Sequence, residues 1–232
     1  MPGAAASILL LVLALGCSPE RDPVEVLQQH LERFPEYSVT LEDARVEEGA
    51  FADYFLRFRI LTGTGQRVDG QDTLVYKEEV RDWQEVSQHA FSRYENYLGM
   101  VVASKTRDGQ RTGPQQAYPP SYQYVGNPHY GFWGAGGFWQ FYGQYALMRD
   151  LMGGWRVGRD DWEDYRRNRE RGQPYHGPVQ EGRPTFGSEG RVTQQTRPDF
   201  YQRHQVRHQR FVSRTQSRMG RSTTGSTWGG GK

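Results

Sequence analysis

The chain has 232 residues, 35% of them hydrophobic and 13% aromatic, with a formal net charge of +2. That length holds one ordinary domain, and the aromatic content argues against a chain unfolded throughout. A single cysteine excludes an intrachain disulfide framework and any CxxC metal or redox site.

The first segment, residues 4–15, reads AAASILLLVLAL. It has the length of a secretory hydrophobic region and is too short to cross a bilayer. Gly16-Cys17 follows at once, then polar sequence from Ser18-Pro19-Glu20. Three places before the cysteine stands Ala14, where a lipoprotein-type signal usually has Leu, with Leu13 and Leu15 on either side. This arrangement resembles a bacterial lipoprotein signal peptide. The resemblance implies that residues 1–16 are removed and that Cys17 is lipidated and becomes the first residue. It also implies that Ser18 sorts the protein to the outer membrane of the cell envelope, facing the periplasm. The membrane would then be a partner through the acyl chains, and no thiol would remain for catalysis. The resemblance ends at residue 17. No later run is long enough to span a bilayer, so the mature chain is expected to be anchored.

Charge divides the mature chain. Residues 18–105 carry 17 acids and 10 bases, residues 106–155 two and three, and residues 156–232 eight and 16. An acidic front and a basic tail are hidden in a nearly neutral total. The tail suits an anionic partner or the front half of the same molecule.

The elements then follow in order. After a linker at 17–22, Asp22-Pro23 opens a helix, with Val24, Leu27, Leu31 and Phe34 as its apolar stripe. Tyr37, Val39 and Leu41 alternate as a strand, and the phase shifts near Asp43 as at a bulge. Tyr54, Leu56, Phe58 and Ile60 alternate as a second strand. Residues 62–72 read as a hairpin loop and Leu74–Val80 as a third strand. Trp83, Val86, Ala90, Tyr94, Leu98 and Val101 step by three or four, which predicts one long helix. The fold class is therefore α+β: over 23–105, a small antiparallel three-stranded meander flanked by two helices.

Residues 106–155 begin with a loop and continue as an aromatic–glycine segment. Residues 138–152 read as a short helix ended by Gly153-Gly154. Trp133, Phe138, Trp139 and Tyr142 are the candidates for contact with a partner or with the membrane interface. The plainer reading is that this segment completes the core of the small sheet. Residues 156–232 read as a mostly disordered tail, apart from a charged helix at 160–171. Within it Arg203, Arg207, Arg210, Arg214, Arg218 and Arg221 step by three or four, which would align them on one helical face against an anion. Lipid phosphates, lipopolysaccharide, acidic polymers or the acidic front half could supply that anion. Nucleic acid is not expected of an exported chain with no recognisable binding module.

Catalytic signals are sparse. No GxSxG, Walker A, strand-linked GxGxxG or HExxH is present. Glu47-Glu48, Glu78-Glu79 and Asp160-Asp161 are pairs in sequence only. His204 and His208 stand at i and i+4 without a third ligand nearby and read as exposed polar residues. No metal or cofactor is expected. The sequence thus points to a lipid-anchored envelope protein with a binding or organising role. The alternatives are a peripheral binder of anionic surfaces acting through tail and aromatics, and an envelope hydrolase with an unrecognised site.

Overall fold

Asp22 opens helix α1 (Pro23–Leu31) as its sequence demands, its carboxylate accepting from the Val24 and Glu25 amides. The same carboxylate accepts from Arg93 and from the Tyr94 hydroxyl, tying this cap to a later helix. The structure, a computed structural model, describes residues 21–68 and 71–222. The apolar segment at 4–15, Cys17 and the glycine-rich end at 227–231 lie outside the described residues.

Strand β1 (Glu36–Glu47) pairs antiparallel with β2 (Asp53–Val68) and with β5 (Val101–Lys105). The β1–β2 register shifts between Leu41 and Asp43, where the apolar phase changes in the sequence. β2 also pairs with β3 (Gln71–Val80) and, near its start, with β4 (Gln84–Val86). β6 (Arg111–Thr112) completes the order β3-β2-β1-β5-β6.

The α+β class is as expected, but three details differ. The sheet has six strands rather than three. Residues 62–68 and 71–72 continue the β2–β3 ladder instead of looping. The helix expected across 83–101 is only α2 (Gln88–Tyr94), since Val86 pairs with Tyr54 and Val101 opens β5. Spacing by three or four is ambiguous when strand, helix and strand are each short. Trp83 lies outside the helix, under the guanidinium groups of Arg45 and Arg57.

β1 is buried on both faces. Its apolar side, Tyr37, Val39 and Leu41, packs with Leu56, Phe58 and Ile60, with Val24 and Leu31 of α1, and with Phe91 and Tyr94 of α2. Its other side carries Glu36, Ser38, Thr40 and Glu42, all buried. A strand covered on both faces normally reads as continuously apolar. Here the second cover is polar-tipped: the aromatic segment and the following helices.

That cover holds β7 (Gly131–Trp133) paired with β8 (Trp139–Phe141), then α3 (Ala146–Leu151) and α4 (Arg159–Glu170). The helix expected over 138–152 is thus a strand followed by a shorter helix. The tail expected to be disordered is folded over much of its length. It contains β9 (Val179–Gln180), β10 (Arg183–Pro184), α5 (Arg191–Thr196) and α6 (Pro198–Ser222). The physical reason lies in a few well-placed rings. Phe186 and Phe200 join the core beneath the sheet, and Tyr165 and Tyr175 join the aromatic layer. Arg197 fastens the start of α6 to β1 through the Glu42 carboxylate and carbonyl, the latter at 2.7 Å. No described helix is long and apolar enough to cross a membrane.

Candidate functional site

The polar face of β1 determines what lies above it. Glu36 is fully buried, and Gly63 stands opposite it on β2. A Cβ on Gly63 would lie 3.2 Å from the Tyr76 ring, so the glycine makes room for that ring beside Glu36. Tyr76 and Tyr130 both donate to Glu36 Oε2, at 3.1 and 2.8 Å, while Oε1 has no hydrogen-bond partner. Burial pushes the Glu36 carboxyl up, and the tyrosine hydrogen bonds only partly offset that. Tyr130 in turn packs on Tyr124 and Tyr145, with ring centroids 4.8 and 5.0 Å apart.

His129 closes this cluster toward solvent. The Tyr145 hydroxyl lies 2.8 Å and Arg107 Nη1 lies 3.2 Å from His129 Nε2. Arginine can only donate, so Nε2 accepts and the imidazole proton sits on Nδ1. Burial, with Arg107 alongside, pulls the His129 pKa down, which agrees with a neutral ring.

On the outer side of Tyr124 and Tyr130 lies a groove of about 930 Å³, within the range of about 300–1,000 Å³ common for ligand sites. Arg107, Gln110, His129, Trp162 and Arg169 are among its lining residues. Three elements build it: the turn between β5 and β6, the segment 122–130, and α4. Gly126 allows the close approach of α4, because a Cβ there would fall 2.3 Å from Trp162 Cζ2. Its φ of +81° independently favours glycine. Arg169 donates to the Gln110 side chain at 2.8 Å. Among the described residues neither Arg107 nor Arg169 has a carboxylate at ion-pair distance. The Tyr122, Tyr124 and Tyr165 hydroxyls and Gln123 Nε2, all on groove-lining residues, are buried without hydrogen-bond partners.

The residues expected to form a contact surface do not form one set. Trp139 is buried in the aromatic core, against Trp133 at 5.3 Å. Trp133 is half-buried between Trp139 and Trp162, beneath Arg159. Phe138 is half-buried beneath Arg156. Tyr142 is exposed and stands beside exposed Phe132. The segment therefore mainly completes the core, the plainer of the sequence readings.

The arginine stripe is likewise dispersed. Arg203 is exposed. Arg207 lies 3.6 Å from Glu95 and over the Phe91 ring, and Arg210 lies 3.6 Å from Glu48. Both carboxylates belong to the acidic front half. The side chains of Arg214, Arg218 and Arg221 lie outside the described residues. His204, expected to be exposed, is buried and stacked on Phe200, with neither ring nitrogen hydrogen-bonded. The i, i+4 spacing had suggested a histidine pair, but one member faces the core and the other is exposed. Among the described residues no group of three His, Cys, Asp or Glu side chains could hold a metal.

Sequence reasoning missed Glu36, Arg107, His129 and Arg169. Only Glu36 carried a signal, as a charged residue beginning an alternating strand. Its burial depends on Tyr76 and Tyr130, far away in the chain. No family model matches this chain, and neither a curated protein nor a solved structure shows significant similarity to it.

Proposed function

We propose that this protein is a lipid-anchored component of the bacterial envelope whose folded head binds a polar, anionic ligand in the groove beside Tyr130. One observation carries the binding role: two guanidinium groups without carboxylate partners, Arg107 and Arg169, border one large aromatic-walled groove. Unpaired arginines over a partly buried surface favour an anion, since each presents a rigid fork of donors. The anchor rests on Gly16-Cys17 at the end of the apolar segment. Four residues, 18–21, separate Cys17 from the Asp22 cap. At about 3.3–3.6 Å per residue such a tether would hold the head close to the membrane surface.

The reading in which tail and aromatics clamp an anionic surface has less support. Arg207 and Arg210 face carboxylates of their own chain, and Trp139 points inward.

Metabolic labelling with a fatty acid, comparing the native chain with Cys17→Ala, tests the anchor. Label and membrane association confined to the native chain are expected. Equal labelling, or a soluble native chain, would reject it.

A further inference from the structure

Among the residues that line the groove one is a histidine, and it stands where a proton would change the charge offered to an anion. The turn at 127–130 presents it. The His129 amide donates to the Asn127 side chain and the Tyr130 amide to the Asn127 carbonyl, each at 3.0 Å. His129 and Arg107 are exposed, and Arg169 is half-buried on α4.

Among the described residues the Arg107 guanidinium is held only by His129 Nε2, and against an arginine that nitrogen has to accept. A proton on Nε2 turns it into a donor. It can still donate to the Tyr145 hydroxyl oxygen, 2.8 Å away, but it can no longer accept from Arg107. Two cations then stand where a hydrogen bond of 3.2 Å had been. The freed guanidinium and the new imidazolium both favour an anion beside them. Partial burial, and then the Arg107 charge, hold the His129 pKa below its usual value, so an anion that offsets this charge makes the ring easier to protonate.

The other charged groups around the ring are committed elsewhere. On α4, Arg166 is paired with Glu170 at 3.7 Å and Arg169 donates to Gln110. On the β5–β6 turn, Asp108 accepts from Thr106 and from Gln110 Nε2 (2.8 Å), contacts that hold its carboxyl below the usual range. Behind the ring, Tyr130 and Tyr145 pack at 4.9 and 5.7 Å, and Tyr130 carries its hydroxyl to the buried Glu36 carboxyl. Of these side-chain types, histidine is the one whose ordinary pKa lies between about 5 and 8.

Resting on the anion-binding role proposed above, we infer that anion binding in this groove is coupled to protonation of His129, which acts as a third, switchable cation beside Arg107 and Arg169. The coupling is reciprocal. A proton tightens the anion, and the anion favours the proton by the same factor.

Sulfate is the probe, because its charge is constant between pH 5 and 8. In calorimetric titrations of the full mature chain at fixed ionic strength, sulfate affinity should rise roughly tenfold from pH 8 to pH 5, the scale of one charge-assisted hydrogen bond. Between those limits, buffers of different ionisation enthalpy should report proton uptake with each anion bound. His129→Gln keeps an acceptor for Arg107 but cannot ionise. It should bind sulfate at every pH as the native chain does at pH 8. The imidazole NMR signal that this variant lacks should titrate about one pH unit higher in the native chain with saturating sulfate than without it. Arg107→Gln and Arg169→Gln should each weaken sulfate by roughly tenfold. Arg149→Gln, at an exposed site paired with Asp150, should bind as the native chain does.

Sulfate binding that needs the two arginines but ignores pH overturns the coupling and leaves the anion site standing. So does a pH dependence that persists in His129→Gln, or a His129 titration that sulfate does not move. If sulfate binds at no pH, or if both arginine variants retain native affinity, the anion-binding reading falls and the coupling falls with it. The Cys17 labelling decides the anchor in either case.

Discussion

The Tyr130 hydroxyl donates to Glu36 Oε2 at 2.8 Å, across 94 positions of sequence. Through that bond the aromatic–glycine segment is fixed over the polar face of the central strand. It also places Tyr130 in two roles, since one end satisfies a buried carboxyl and the ring forms part of the groove wall.

The first prediction concerns that carboxyl. Burial raises the folded pKa of Glu36 above its unfolded value of 4.5. Its contribution to stability is therefore fully present below 4.5 and is lost as pH rises through the folded pKa. Glu36→Gln keeps an acceptor for Tyr76 and Tyr130 but cannot ionise. Thermal melts from pH 4 to 8 should show its stability relative to native improving as pH rises. A pH-independent difference would contradict this. Glu36→Ala should be destabilised by about 1–3 kcal/mol for each tyrosine hydroxyl left without a partner.

Acid should act farther along the same strand, at Glu42. Burial alone would raise the Glu42 pKa, but hydrogen bonds from Arg59 (2.7 Å) and Arg197 outweigh it and hold the carboxyl low. This stability is present above pH 4.5 and is lost as pH falls through the folded pKa. Arg197→Ala should cost about 1.5–3 kcal/mol, the scale of hydrogen bonds to a charged group. Hydrogen exchange should show the loss first at the start of α6.

His204 adds a second acid-sensitive point on α6. Burial depresses its pKa, and neighbouring Arg207 and His208 act in the same direction while Glu189 opposes them. The stability associated with its neutral form is present above pH 6.5 and falls as pH drops toward the folded pKa. His204→Phe should preserve the stack on Phe200 and flatten the unfolding free energy between about pH 5 and 7. A variant that keeps the native slope would show that His204 does not titrate in that window.

Truncation distinguishes a folded tail from a disordered one. A chain ending at Gly172 loses Tyr175, Phe186 and Phe200 from two apolar clusters. Each buried phenylalanine is worth about 3–5 kcal/mol, against a typical domain stability of about 5–15. The truncated chain should lose its cooperative thermal transition. A native-like melt would mean that the tail adds little to the core.

Gly126→Ala tests the groove wall. The added Cβ would collide with the Trp162 ring, and a φ of +81° disfavours alanine. A cost of about 1–3 kcal/mol is expected, together with altered tryptophan fluorescence.

The legible parts of the sequence were those governed by neighbours. Asp22-Pro23 marked a helix start, the alternation from Tyr54 to Ile60 marked a strand, and the phase change at Asp43 marked a register shift. The groove was not legible, because Arg107 and Arg169 meet only in three dimensions. The folded tail was hidden for a different reason. Nine of the 14 tyrosines are buried, so much of the second core consists of a residue type that hydropathy scores as half polar. Phe186 and Phe200 are isolated in sequence and leave no periodic trace, yet each fills a core position.

The bond from Arg197 to the Glu42 carbonyl spans 155 positions. At about 5–20 residues per second, a ribosome needs roughly 8–30 s to deliver the second partner after the first. During that interval Glu42 lacks its Arg197 partner, although the aromatic segment that covers Glu36 is made earlier. Completion of the native state is therefore a late event, set by arrival of the last quarter of the chain. Until then the Phe186 and Phe200 positions of the core stand unfilled, a period in which a chaperone has more to shield than the finished surface would indicate.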